Sequence, residues 1–445
     1  MNKRTDPNPQ SANRNPQSDG RRVLGNFFSL SIVQFANYLA PVITLPYLFR
    51  VLGLEKYGLT ELARAISVYF LMLTDYGFSL SATQEISVHR DDPKRVSEVF
   101  SAVLLLKFLL LVLSLALLSL LVLAVPRLRA DWPVYYLSFG NVIGMWLFPI
   151  WLFQGLERMK YIPMLSVTAK TLYIVLIFSL IHGPADYLYA PLLQSASAIL
   201  IGLAGLVLAL VKFRVRFRLP SVGVLRYEFV NGWHLFLSKT AITFYTASNV
   251  VILGLFTDNT FVAYYAAGDK IIRALTDGLH IPLSQAIFPH IGRLASQSRP
   301  AALRFAGRVA RLLSLATLAI SVTAFVAAPW IARIVLGHNA GGSVPVIRIL
   351  SLLPLVVGLS NIFGTQIMVN FGLKKLLARI LAAAGLLNII VALLLVVPLK
   401  HAGIAIASLT TEVFVTAVMF AALRRQGLNV FGRSDPAVDN RRSVA

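Results

Sequence analysis

Apolar runs of about 20 residues recur from one end of this chain to the other, each long enough to cross a ~30 Å hydrocarbon slab as a helix. Of the 445 residues, 57% are hydrophobic and 13% charged, against roughly 45–50% and about 25% in soluble domains. A larger core does not account for that excess, so most of the apolar surface is solvated by lipid. Lipid offers no hydrogen-bond partner, and each crossing must therefore pair its own backbone. The runs are far longer than the ~9–11 residues of a barrel strand, which leaves an all-α membrane protein.

The runs place twelve spans: Leu24 to Tyr47, Gly58 to Leu80, Val99 to Val125, Tyr135 to Phe153, Leu165 to Ile181, Tyr187 to Val211, His234 to Phe256, Phe261 to Pro289, Leu312 to Leu336, Val346 to Val369, Leu376 to Pro398 and Ile404 to Leu423. Residues 1–22, rich in Asn, Pro, Ser and Arg, cannot bury enough surface to order themselves and read as a cytoplasmic tail. The apolar run that follows is too long for a signal-peptide core. A second tail is expected at 427–445. A basic linker at 212–230 separates six-helix lobes at 23–211 and 231–426.

A net charge of +22 would point to nucleic acid in a soluble chain. Position argues otherwise. Arg21 and Arg22, the Arg90–Arg95 and Arg158–Lys160 clusters, Lys212 to Arg226, Arg293 to Arg311, Lys374 to Arg379, and Arg424 with Arg425 fall on one side of the predicted topology. The other side holds Arg50, Lys56, Arg127, Arg129, Arg333 and Lys400. This bias puts both termini in the cytoplasm, and no nucleic-acid partner is expected.

Cysteine is absent, which excludes disulfides, thiolate chemistry and Cys-based metal sites. No Walker loop or HExxH motif occurs, and connections such as Thr257 to Thr260 are too short to hold a catalytic domain. The chain therefore reads as a non-enzyme without cofactor or metal.

Short segments repeat. Leu52-Gly53 recurs as Leu253-Gly254, Thr74-Asp75 as Thr276-Asp277 and Leu80-Ser81 as Leu283-Ser284, each displaced by about 200 residues. This spacing predicts two six-helix lobes related by a parallel pseudo-repeat, a common transporter construction.

Charges inside spans cost about 2.5–3.5 kcal/mol each and normally face water or one another. In the eighth span, Tyr265, Asp269, Arg273 and Asp277 recur every fourth residue and share one helix face, with Lys270 beside them. A structural Asp269–Arg273 pair accounts for part of the stripe; a polar lumen accounts for all of it, with Pro282 expected to break the helix beyond. The second span carries Glu61 and Arg64 one turn apart, with Asp75 further on. Lys107, Lys170, Lys239 and Arg348 are cations in other spans, and snorkelling to the surface is open for Lys170 and Lys239. Cations narrowly outnumber acids, which suits a phosphorylated cargo. Candidate phosphate ligands are Lys239, Lys270, Arg64, Lys107 and Arg273; candidate ion-coupling acids are Asp269, Asp277, Asp75 and Glu61. Asn37, Tyr245 and Asn249 are candidate sugar contacts.

The runs Leu45-Pro-Tyr-Leu-Phe-Arg-Val-Leu-Gly53, Thr74-Asp-Tyr-Gly-Phe78, Trp151-Leu-Phe-Gln-Gly-Leu-Glu-Arg-Met-Lys160 and Phe244-Tyr-Thr-Ala-Ser-Asn249 resemble Wzx-type O-antigen flippases, in the polysaccharide-transport branch of the multidrug/oligosaccharidyl-lipid/polysaccharide exporter superfamily. The resemblance runs from about Gly25 to Leu423. It implies a two-lobed alternating-access carrier in the bacterial inner membrane that moves an undecaprenyl-diphosphate-linked oligosaccharide to the periplasmic leaflet, with H+ or Na+ as coupling ion and polysaccharide polymerase and ligase machinery as partners. Two alternatives stay open: a drug or organic-cation antiporter, whose lumen carboxylates should dominate, and a membrane glycosyltransferase or polymerase, which needs a large outer loop that the chain lacks.

Overall fold

The computed structural model describes residues 16–431, with the side chains of 16–39, 234, 238–239 and 241–246 outside the described set. Every regular element among the described residues is helical: α1 (Pro16–Asp75), α2 (Phe78–Val88), α3 (Pro93–Ala124), α4 (Pro126–Ala130), α5 (Trp132–Leu147), α6 (Ile150–Gly155), α7 (Tyr161–Leu180), α8 (Tyr189–Val211), α9 (Val222–Phe256), α10 (Asn259–Gln297), α11 (Arg299–Leu336), α12 (Ser343–Leu350), α13 (Leu353–Asn361) and α14 (Lys374–Arg425). A π-helical turn, Ile362–Met368, continues α13. Helix α1 begins at Pro16, within the stretch expected as a tail, and α9 begins within the expected linker.

Eight helical stretches among the described residues are long and apolar enough to cross a membrane. Two of them, Ala40–Val88 and Lys374–Arg425, have 49 and 52 residues, more than twice a bilayer's width at about 1.5 Å per residue. Each contains a reversal, so the first and second expected spans share α1, and the eleventh and twelfth share α14, without intervening loops. Gly53 (φ 73°) makes the first reversal, in a conformation that costs a glycine nothing. Lys400 (φ 49°) makes the second. That backbone costs on the order of 1 kcal/mol for a residue with a Cβ, and the Lys400 ammonium lies 4.3 Å from the Phe261 ring centroid, a favourable contact that offsets it. Large apolar side chains such as Leu120, Leu312, Trp330, Leu394 and Val397 are exposed, as lipid contact demands. The protein is a multi-pass helical membrane protein.

Local signals set the helix starts. Asp92 caps α3 by accepting from the amides of Lys94 (2.9 Å) and Arg95 (3.2 Å), with Pro93 in the first turn. Two expectations are corrected. Pro282 and Pro289 lie inside a continuous α10, because packing against the helices around it outweighs the missing hydrogen bond. The second expected span is interrupted instead at Tyr76 and Gly77, both with positive φ.

The apolar core is shared at one end of the molecule and divided at the other. At the turn end, marked by Gly53, the α9–α10 turn and Lys400, a single cluster joins α1, α3, α5 and α7 to α9, α10, α11, α12 and α14. At the tail end, where Val430 meets Gly307, there are separate clusters. One packs α2, α3 and α6 with the start of α9; the other packs α11, Ile362–Met368 and α14 with the far half of α10. The tightest cross-half approach is Gly58, where an added Cβ would sit 1.8 Å from the Asn259 carbonyl oxygen; at Gly278 it would meet nothing within 4 Å. Gly58→Ala should therefore lower the melting temperature of the purified protein, overpacking costing about 1–3 kcal/mol. Gly278→Ala should leave it unchanged or raise it. Equal melting temperatures for the two variants would show that the close contact carries no stability.

Candidate functional site

The stripe on α10 begins where the shared core ends. Asn259 to Asp269 is about 15 Å along the helix, half the depth of a ~30 Å slab, and Asn259 to Asp277 is about 27 Å, near its far side. Lys270 points to α1: its ammonium is 2.5 Å from a Glu61 carboxylate oxygen and 3.3 Å from the Tyr57 hydroxyl. The other Glu61 oxygen accepts from Arg64 at 2.9 Å. Glu61 is 6% exposed, so one buried carboxylate holds two cations, one from each half of the chain.

One turn further along α10, Arg273 donates its Nε to both oxygens of Asp269, at 3.0 and 2.9 Å. The i,i+4 spacing that put the two on one face makes this bond possible. The side chains of Arg64 and Arg273 are 41% and 42% exposed. That exposure leaves both guanidinium groups reachable beside the point where the cores separate. Asp269 lies close enough for its charge to act on both Arg64 and Lys270. With Asp277, the described cluster holds three acids (Glu61, Asp269, Asp277) and three bases (Arg64, Lys270, Arg273).

Other sequence candidates lie elsewhere. Lys107 is 3% exposed and sits 3.6 Å from Asp75, which also accepts from the Ser79 hydroxyl. This pair is internal to the first half, about 16 Å along α1 from Arg64. Asn249 donates to the Tyr265 hydroxyl at 3.3 Å, bracing α9 against α10 while both are buried. Arg348 is exposed, 5.7 Å from the Phe325 ring centroid. The expected roles of Lys239, Asn37 and Tyr245 fall on side chains outside the described set. Sequence reasoning missed Tyr57, which packs fully buried beside Lys270; its position four residues before Glu61 was the available signal. It also missed Glu228, assigned to the linker but buried in α9 with no hydrogen-bond partner for either carboxylate oxygen.

Fold and site together define a multi-pass helical membrane protein with a cluster of paired charges set among its helices. Two solved structures share the fold. An inward-facing multidrug resistance MATE family transporter of the MOP superfamily matches with TM-score 0.67 at 14% identity, covering 87% of this chain and 95% of that one. The lipid II flippase MurJ in its inward closed conformation matches with TM-score 0.67 at 11% identity, covering 92% and 90%. Residues 23–295 match the family model for polysaccharide biosynthesis proteins. A protein of Escherichia coli (strain K12) named "Putative O-antigen transporter" is 33% identical over 405 residues, covering 91% of this chain and 97% of its own length. The chain belongs to the polysaccharide biosynthesis protein family.

Removing the Glu61 carboxylate leaves two cations without their shared acceptor. In a cycle of Glu61→Gln, Lys270→Met and the double variant, the double should be less destabilised than the sum of the singles, with a coupling of about 0.5–3 kcal/mol from thermal unfolding. Strict additivity would show that the cross-half pair contributes nothing to holding the halves together.

Proposed function

We propose that this protein is a flippase that carries an undecaprenyl-diphosphate-linked oligosaccharide, a repeat unit of O-antigen, capsule or exopolysaccharide, from the cytoplasmic to the periplasmic leaflet of the bacterial inner membrane. In this reading twelve crossings form two six-helix lobes, both termini are cytoplasmic, and the cleft opens to the cytoplasm. The observation that carries it is the Glu61–Lys270 pair at the floor of the cleft, flanked by the exposed guanidinium groups of Arg64 and Arg273. The name of the 33%-identical relative supports a saccharide cargo.

The charges supply a route to alternation. Parting the halves at the turn end breaks the bond between Lys270 and Glu61, and an unpaired buried charge costs several kcal/mol. A diphosphate entering the cleft gives Arg64, Arg273 and Lys270 a new acceptor, with Arg binding phosphate oxygens through its fork and Lys as a point charge. Lys239 is the further cation of this proposal; Lys107, expected from the sequence to join it, is held by Asp75 within the first half. The freed Glu61, or Asp269, Asp277 or Asp75, then takes up H+ or Na+, which couples the closed-to-open change to an ion gradient. The saccharide passes through the cleft past Asn37, Tyr245 and Asn249 while the lipid tail stays in the bilayer, and the product is presented to polymerase and ligase machinery outside. A lumen with balanced charge argues against an organic-cation antiporter.

In a host lacking its own transporter for the same unit, Lys239→Ala should abolish surface polysaccharide at unchanged membrane abundance, and Lys270→Met should abolish it when compared with wild type expressed to the same membrane level. Normal polysaccharide in either variant removes that lysine from the site. In proteoliposomes, Asp269→Asn should lose the response of lipid-linked saccharide translocation to an imposed proton or sodium gradient. An undiminished response would exclude that carboxylate as the coupler.

A further inference from the structure

The turn end carries a second concavity, distinct from the cleft. A pocket of about 460 Å³ lies between the Gly53 reversal of α1 and the end of α11, lined by Phe49, Arg50, Arg333, Leu336, His338 and Asn339, among others. Its polar lining is cationic or neutral, and no carboxylate takes part. Arg50 donates to the Ile334 carbonyl at the C-terminal turn of α11, a bond that engages one of its five N–H donors. Arg333, in the last turn of α11, makes no ion pair among the described residues, and neither does Arg50.

Sequence position adds weight. The side of the chain opposite the termini holds few basic residues, and two of them meet here, one from each half. Like charges brought together without an acid repel, so the fold tolerates the arrangement at a cost that a bound anion removes. The floor of Phe49 and Leu336 is apolar and buried, and the exposed Trp330 and Ile334 stand beside the pocket on α11. This is the profile of a site at headgroup level, with guanidinium forks for a phosphate and apolar surface for what hangs from it.

We propose that Arg50 and Arg333 bind a phosphate-class anion, either a phospholipid headgroup or a free phosphate, at the turn end. Because α1 and α11 supply one arginine each, the site is complete only while the halves touch there. The bound anion therefore favours the turn-end-closed state over the opened one. The site is independent of the cargo assigned to the cleft.

The test uses the full-length protein in nanodiscs of phosphatidylcholine, of phosphatidylcholine with phosphatidylglycerol, and of phosphatidylcholine with inorganic pyrophosphate in the buffer. The melting temperature of the wild type should rise with phosphatidylglycerol, pyrophosphate or both. A response to the lipid alone assigns a headgroup, and a response to pyrophosphate assigns a free anion. Arg50→Gln/Arg333→Gln should lose the response, with binding weakened about tenfold or more, roughly 1.4 kcal/mol. Arg129→Gln, outside the pocket, should keep it. If the double variant does not fold, Arg333→Gln alone carries the same comparison. A wild type indifferent to both anions, or a pocket variant that responds as the wild type does, overturns the proposal. Neither result bears on transport through the cleft.

Discussion

The bond between Lys270 and Glu61 ties α10 to α1 at the depth where the common apolar core gives out. A charge inside a membrane needs a partner, and here each half supplies what the other lacks. On the turn-end side of this pair one apolar cluster spans both halves; on the tail-end side the clusters are separate, and only the start of α9, stacked on Tyr76, packs onto the first half. The pair is thus the boundary between a sealed and an open region of one interface. Packed apolar surfaces either fit or separate, and they do not stretch. The alternation proposed for this protein would therefore switch such an interface between two states, with the ion pair at their boundary.

Much of this was legible in the sequence, and the reasons are local. Membrane residence follows from run length and composition. The shared face of Tyr265, Asp269, Arg273 and Asp277 follows from spacing alone, and the Asp269–Arg273 bond follows from that face. What sequence does not carry is pairing at a distance. Lys270 and Asp269 are neighbours in sequence, yet one bonds within its helix and the other reaches a carboxylate 209 positions away. Lys107 and Lys270 look alike as intramembrane cations, but Lys107 is sealed against Asp75 within the first half. The turns at Gly53 and Lys400 fall in the gaps left between expected spans, whereas the interruption at Tyr76 and Gly77 lies inside one, because it rests on Tyr76 stacking with Phe229 and Phe236, rings far along the chain.

The balance of charge in the cleft also has a physical logic. An excess of cations, as the span inventory suggested, would bind an anion tightly and hold it. With Glu61 and Asp269 already accepting from Lys270, Arg64 and Arg273, an anion bound as proposed above would displace an internal partner, and its net gain would be a difference between two similar interactions. That keeps occupancy reversible, which a carrier needs, and makes the displaced carboxylate available for another role. Affinity and conformational change are then set by the same contacts.

Helix α10 is the element through which the two ends communicate. Its first turns are built into the shared core through Val262, Ala263 and Ile272, while Leu283, Ile287 and Ile291 belong to the separate core of the second half. At 39 residues it is about 58 Å long, and its helical structure is unbroken. If the first turns leave α1, the far turns must follow, or the helix must bend. A place with two reasons to bend lies just beyond the charges: Pro282 cannot donate an amide hydrogen bond, and Gly278, four residues before it, has open space where a side chain would pack. His280, buried with its Nε2 2.8 Å from the Pro354 carbonyl, ties this stretch to α13. That contact ties residue 280 to α13 of its own half, so under the proposed alternation a bend of α10 would fall at residues 277–282, beside the carboxylate of Asp277, and would join the helix angle to the charges one turn away.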